Sequence, residues 1–282
     1  MGRVEGKVVA ITGAARGQGR SHAVRLAEEG ADIIALDICQ ESGVTPYPLA
    51  TSEELDETAR LVEKAGRRVF TKIVDVRDRA ALQAAIDEGV AALGGLHVVV
   101  ANAGISALGA DKPVEAFTET IDVNLNGAIN TVHAALPHLG EGSSIIVIGS
   151  AVGLIPGHGD PGPMGPGGAG YSVAKQTLVL YVNSLALQLA PSNRRINAVH
   201  PANCNTPMIQ NDTMYGIFRP DLENPTKEDG EQGFYAFQAM PIPYVEPVDV
   251  SHAVTYLASD ESRYVTGLQL KVDAGALVKR GA

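Results

Sequence analysis

Short runs of aliphatic and β-branched residues alternate along the chain with longer stretches whose apolar positions recur at helical spacing. The runs fall at residues 8–12, 32–36, 69–74, 96–101, 144–148 and 195–199, and the helical stretches near 17–29, 52–65, 79–93, 114–136 and 170–189. This alternation predicts a parallel sheet with helices on both faces. Val98-Val99-Val100 and Ile145-Ile146-Val147-Ile148 contain no polar position, as expected of strands covered on both sides. No repeat and no dividing linker interrupts the pattern. One doubly wound α/β domain is therefore expected over residues 1–282.

Two segments depart from the rhythm. Residues 155–170 hold four prolines and seven glycines, which predicts a loop running directly into the following helix. Between Met208 and Tyr244 lie six of the chain's thirteen Phe and Tyr residues and three of its five Met residues. Apolar side chains in that Pro-interrupted stretch, 206–244, suggest an irregular lid or pocket wall, with packing beneath a loop as the alternative. Met208, Ile209, Met214, Phe218, Phe234 and Phe237 would make such a wall greasy.

Composition narrows the partners. A net charge of -10 disfavours nucleic acid and anionic membranes, both polyanions, and favours a small neutral or cationic ligand. Cys39 and Cys204 stand far apart and outside any metal spacing, so a reduced, cytoplasmic protein without a metal site is expected. The first strand begins within a few residues of Met1 and no apolar run is bilayer-length, so neither a signal peptide nor a membrane span is expected. None of the seven histidines has a metal-ligand spacing, and His200 reads as a loop residue.

Thr12-Gly13-Ala14-Ala15-Arg16-Gly17-Gln18-Gly19 joins the first strand to the first helix. Glycines there let the backbone approach a pyrophosphate, and the free N–H groups of a helix start favour the anion, as in a Rossmann-like fold. Asp37 ends the second strand, followed by Ile38. A carboxylate there accepts from a ribose diol and repels a 2′-phosphate, so NAD is expected rather than NADP. Arg16 argues the other way, but a carboxylate facing it prevails because like charges in contact cost several kcal/mol, on the order of a lost ion pair. The plainer reading of Asp37 is a strand-end turn residue. Asp75-Val76 and Asn102-Ala103-Gly104 end the third and fourth strands and should border the same crevice, Asp75 reaching an adenine amino group and Asn102 pinning the loop. Both are equally at home as turn formers.

At the other end, Tyr171 and Lys175 stand four residues apart on one helix face. Ser150 follows the strand 144–148 and can be brought beside the phenol, so the three make a proton-handling group. Oxidation of an alcohol needs a base within hydrogen-bond reach of the hydroxyl, and Tyr171 is assigned that role. Lowering a phenol from pKa 10 by roughly two to three units corresponds to about 3 to 4 kcal/mol, which Lys175 and a positive nicotinamide should supply. Lys175 should also hold the nicotinamide ribose, and Ser150 should steady the developing negative oxygen.

These motifs, taken in order, resemble the short-chain dehydrogenase/reductase superfamily: residues 12–19, Asp75, Asn102-Ala103-Gly104, Asn124, Ser150, Tyr171 with Lys175, His200-Pro201, Thr206-Pro207-Met208, Val265-Thr266-Gly267 and Val272-Asp273. The chain departs from the usual pattern in a long Ser150–Tyr171 interval, in Ala101 where a second Asn is common, and in Ala202 after Pro201. Those departures bear on the substrate entrance more than on the chemistry. The resemblance implies that Asn124 positions a helix bend and a relay water, with local backbone bonding as the alternative. It also implies that Thr206 contacts the cofactor carboxamide, that Pro201 shapes that turn, and that the chain forms a homotetramer. The face of residues 177–189 offers a helix contact for one, although core burial explains it equally.

The segment after Asp37, through Val44-Thr45-Pro46-Tyr47-Pro48 to Thr51 and beyond, is similar to the insertion of carveol-dehydrogenase-like members associated with the redox peptide mycofactocin. That resemblance implies a tightly held NAD, reoxidised by a peptide carrier, and a hydrophobic secondary alcohol or ketone, terpenoid in character, as substrate. An insertion near 38–52 would lie beside the adenosine end and slow cofactor escape. The alternative is a surface loop leading to an N-capped helix at Thr51-Ser52-Glu53-Glu54. Two rivals remain. One is a dehydrogenase with freely exchanging NAD, and the other a non-catalytic NAD-binding regulator, which the joint presence of Ser150, Tyr171 and Lys175 disfavours.

Overall fold

In the computed structural model, which describes residues 2–155 and 162–281, seven strands form one parallel sheet. The strands are β1 (Val8–Thr12), β2 (Asp32–Asp37), β3 (Val69–Ile73), β4 (Leu96–Ala101), β5 (Leu139–Ile148), β6 (Arg195–Pro201) and β7 (Gln269–Val272). Their order across the sheet is β3-β2-β1-β4-β5-β6-β7, so the chain reverses direction of travel between β1 and β4. At such a switch point the loops leaving adjacent strands part and leave a crevice.

The helices are α1 (Gly17–Glu28), α2 (Ser52–Lys64), α3 (Arg79–Leu93), α4 (Glu115–Ile121), α5 (Gly127–Ala135), α6 (Gly165–Leu189), α7 (Asp212–Phe218), α8 (Lys227–Phe237), α9 (Pro247–Ala258) and the one-turn α10 (Ala276–Lys279). Side-chain alternation along β1 divides the core into two layers. Val8 and Ala10 pack with Ile86 of α3, Val132 of α5 and Val182 of α6, whereas Val9 and Ile11 pack with Leu26 of α1, Val62 of α2 and Leu257 of α9. Each fully buried aliphatic side chain contributes about 1.5–3 kcal/mol. Local signals agree with this packing. Thr51 and Glu54 form a reciprocal capping box on α2, and Asp78 accepts from Ala80 and Ala81 at the start of α3.

Four elements differ from the sequence reading. The continuous helix expected over 114–136 is broken by a π-turn at Asp122–Asn126. Asn124 causes the break by gripping the backbone of Ile105 with both ends of its amide, at 2.8 Å each. The extra residue lets α4 face α6 while α5 faces β4 and α3. Strand β7 was not expected. It is a short edge strand with Gln269 and Lys271 at alternate positions, so it carries no apolar signature. The lid 206–244 is not irregular, because it contains α7 and α8. Phe234 is fully buried there, and Phe218 packs edge-on against it with ring centroids 4.8 Å apart. Those two rings therefore hold the lid together and do not line a pocket.

The fourth difference is the Gly/Pro-rich loop. Its centre, 156–161, lies outside the described residues, but α6 begins at Gly165 and so takes in the last six residues of the expected loop. Close approach explains why glycines persist in this helix. A Cβ on Gly167 would lie 1.9 Å from the Ala107 carbonyl oxygen, and one on Gly170 would lie 2.7 Å from that of Phe117. Helix propensity would favour Gly167→Ala by about 1 kcal/mol. The clash opposes this and should win, giving a net loss of about 1–3 kcal/mol. A urea unfolding midpoint equal to the parent's would contradict that packing account.

Candidate active site

The crevice at the β1/β4 switch point is lined by Gly13, Arg16, Gly17, Gln18, Gly19, Asp37, Ile38, Asp75, Val76, Asn102, Ala103, Gly104, Tyr171, Lys175 and Thr206, all of them residues singled out from the sequence. Positive φ angles at Gly13 (67°) and Gly17 (55°) make the turn after β1. A Cβ on Gly19 would lie 1.9 Å from the Gly13 carbonyl oxygen, so this loop is closed by contacts that only glycine permits. Asn102 fastens it from β4, its Nδ2 donating to the Thr12 and Gly13 carbonyls at 2.9 and 3.2 Å.

Asp37 is buried at the end of β2, accepting from the Ala15 N–H at 2.9 Å and from the Cys39 N–H at 3.2 Å. A carboxylate has about four acceptor sites, so lone pairs remain for a diol. Arg16 does not face that position. Its guanidinium donates to the Pro48 carbonyl, tying the phosphate loop to the segment 38–51. Asp75 is held by Arg77, at 2.9 Å through the backbone N–H and 2.7 Å through the guanidinium.

A second, mostly apolar chamber adjoins the crevice and shares Gln18, Gly149, Tyr171, Thr206 and Met208 with it. Ser150 and Pro201 line only this chamber. Pro201 closes β6, in register with Val272, which carries it past the crevice. Asn124 lines neither cavity, since its amide is spent on Ile105. Met164, Met208, Ile209, Met214 and Phe237 supply the greasy wall.

Tyr171 stands at the seam of the two cavities, and Ser150, whose Oγ accepts from the Val152 N–H at 3.3 Å, lines the chamber beside it. One helical turn on, Lys175 is buried, and its Nζ donates to the Ile148 carbonyl at the end of β5 at 2.8 Å. That ammonium lies 5.6 Å from the Tyr171 ring centroid. Burial raises the Tyr171 phenol above its ordinary value of 10.0, against a smaller downward pull from Ser150. The lowering expected from Lys175 is therefore not supplied by the protein's own groups. Lys175 is itself desolvated, which brings its pKa down to about 8, and its proton is directed at a carbonyl and not at the phenol.

Within the segment 38–51, expected from the sequence to lie beside the adenosine end, motif reading gives no residue after Ile38 a role of its own. Tyr47, bracketed by prolines, is buried, and its hydroxyl accepts from the Ser106 N–H at 2.9 Å. Ser42 donates to Glu119 of α4 at 2.9 Å, and Val44 packs with Ile105, Ala107 and Ala116. The segment thus forms a flap across the crevice mouth. A single aromatic between two prolines was the available signal for its anchor.

The sequence matches the family described as enoyl-(acyl carrier protein) reductase over residues 13–276. It is also 48% identical over 285 residues to the (-)-trans-carveol dehydrogenase of Rhodococcus erythropolis, covering 99% of this chain and 100% of that one. The chain belongs to the short-chain dehydrogenase/reductase superfamily. Within this superfamily, the structure of carveol dehydrogenase from Mycobacterium avium in complex with NAD matches with a TM-score of 0.92 at 46% identity, over 99% of this chain and 100% of that one. A short chain dehydrogenase from Mycobacterium paratuberculosis bound to NAD matches with a TM-score of 0.85 at 41% identity, over 98% and 99%. Among the described residues no cluster of His, Cys, Asp and Glu could hold a metal, and no helix is long and apolar enough to cross a membrane.

The buried amine carries a testable cost. A lysine whose pKa is lower in the folded than in the unfolded chain destabilises the fold while it is charged in both, and the penalty fades as pH rises from about 8 towards 10.5. The full penalty is on the order of 3 kcal/mol. Lys175→Met should therefore be more stable than the parent at pH 7, with the gap closing towards pH 10. Chemical denaturation at both pH values measures this, and a gap that widens with pH refutes it.

Proposed function

We propose that this dehydrogenase uses NAD to interconvert a hydrophobic secondary alcohol, terpenoid and carveol-like, with its ketone. The observation that carries the reading is Tyr171, placed where the crevice opens into the apolar chamber, with Ser150 lining that chamber beside it. The crevice fits a dinucleotide. Its loop leaves no room for side chains at Gly13 and Gly19, Asp37 offers acceptors for a ribose diol, and the Arg16 guanidinium is already engaged by Pro48. Relatives of 46% and 41% identity hold NAD in solved structures, which supports the same choice here.

NAD, when bound, would supply the acceptor for the carbinol hydride. Tyr171 removes the hydroxyl proton, and Ser150 donates to the same oxygen and steadies its growing negative charge. Lys175, fixed by the Ile148 carbonyl, holds the ribose and places a positive charge beneath the phenol. Asn124 keeps the π-turn and Ile105 in place, and by family analogy would position a relay water there. Thr206 contacts the carboxamide, and Pro201 shapes the turn before it.

The flap supports the further reading that NAD is retained and recycled in place by a mycofactocin-type peptide carrier. Arg16, Ser42, Val44 and Tyr47 all fasten the flap, which slows the escape of a dinucleotide beneath it. A dehydrogenase with freely exchanging NAD would leave that flap without a function. We read the chain as one domain that assembles as a homotetramer in the cytoplasm, for which Leu180 and Leu187, exposed on α6, offer an apolar face.

Tyr171→Phe should lower alcohol oxidation by at least about 10³-fold while NAD stays bound, since it removes the base and leaves the crevice intact. Parent-level turnover in that variant ends the proton-transfer assignment. For retention, the purified protein should release stoichiometric NAD only on denaturation after dialysis, and Tyr47→Ala should shorten its residence at least about tenfold. An empty parent protein, or equal residence in both, argues for free exchange.

A further inference from the structure

Behind Ser150 sits a histidine that the chemistry above leaves unused. His200 occupies the penultimate position of β6, opposite Lys271 of β7, and is fully buried; it is not the loop residue expected from the sequence. Its Nδ1 lies 3.2 Å from the Ser150 backbone nitrogen and 2.9 Å from the Ser150 carbonyl oxygen. Its Nε2 lies 2.7 Å from Gln269 Oε1, and Gln269 Nε2 donates in turn to Asn183 Oδ1 at 2.9 Å on the exposed flank of α6. The closer of the two Nδ1 contacts is the one to the Ser150 carbonyl, to which a protonated Nδ1 donates, while Nε2 faces the Gln269 side-chain amide.

Two further observations place the ring. The bond from the Gly149 N–H to the Val199 carbonyl, 2.8 Å, carries the pairing of β5 with β6 one residue beyond their register. At the next residue the His200 side chain takes the place of a backbone partner. A Cβ on Gly149 would also lie 2.4 Å from His200 Nδ1, so the ring rests directly on the backbone that delivers Ser150. His200 lines neither cavity and reaches the site through the Gly149-Ser150 backbone.

We propose that His200 is a positioning residue whose Nδ1 seats the Gly149-Ser150 turn so that the serine hydroxyl meets Tyr171. This rests on the functional reading above, in which Ser150 steadies the reacting oxygen. Displacing such a group by about 1 Å costs on the order of 10²-fold in rate. Gln269 and Asn183 tie the seat to the outer edge of the sheet.

Three substitutions separate the seat from mere filling of space. His200→Asn keeps a polar atom near the position of Nδ1, His200→Gln reaches towards Nε2 instead, and His200→Leu fills the volume with neither. In the NAD-loaded enzyme, single-turnover oxidation of carveol and a panel of cyclic secondary alcohols is followed by NADH absorbance, with Ser150→Ala alongside. The Asn variant should keep kcat within about threefold of the parent, while the Gln and Leu variants fall at least about tenfold with KM and bound NAD unchanged. Should the Gln variant fail to fold, the Leu variant decides. Equal loss in all three overturns the proposal, because a ring that only fills space does not tell Asn from Gln. Parent-level kcat in the Gln and Leu variants, with Ser150→Ala impaired, overturns the role of His200 alone. Parent-level turnover in Ser150→Ala removes the functional reading and this proposal together.

Discussion

A buried ammonium bonded to one strand-end carbonyl sets the geometry of the site. Lys175 spends its proton on Ile148 at the end of β5, which fixes α6 at a set depth above the sheet. One turn earlier on the same helix, Tyr171 is thereby brought level with Ser150, two residues beyond Ile148. The fold accepts a desolvated charge to obtain this, and the glycines of the first turn of α6 let the helix close on residue 107 and on α4. Strand end, helix depth and hydroxyl pair are one mechanical unit.

Around that unit the molecule separates two environments that share a wall. The crevice is built from backbone: positive-φ glycines, strand-end N–H groups and the Asn102 clamp. The chamber beyond it takes its apolar wall from Met208, Ile209, Met214 and Phe237 of the stretch after β6, with Met164 from the approach to α6. Only a few residues touch both, Tyr171 among them, which confines proton handling to the place where polar and apolar spaces meet. The segment 38–51 lines the crevice, yet its Tyr47 reaches Ser106, which lines the chamber.

The parallel sheet, five of its helices and the glycine loop were legible because each leaves a local mark: aliphatic runs, capping residues and a strand-loop-helix junction. The pairing of Tyr171 with Lys175 was legible from spacing, and Ser150 from its place after an apolar strand. What stayed hidden depends on contacts distant in sequence. Nothing near Asn124 announces that its amide will grip Ile105, and nothing in a run of Gly and Pro announces a helix whose glycines are explained only by carbonyls some sixty residues away. Edge strand β7 lacks an apolar pattern because Gln269 and Lys271 need none. His200 was misplaced for a related reason, since an adjoining proline suggested a turn where a strand still ran.

The π-turn at Asp122–Asn126 has a further meaning for how this chain tolerates change. One residue more than an α-helical turn rotates everything downstream by about 100° about the helix axis. It is this rotation that turns Ala128 and Val132 of α5 inward onto the sheet layer they share with Ile86 and Val182. Here the count of residues is constrained independently of their identities. A deletion at 122–126 would swing that buried face towards solvent even with every remaining side chain unchanged, so length variation should be purged from this helix pair and confined to the neighbouring loops.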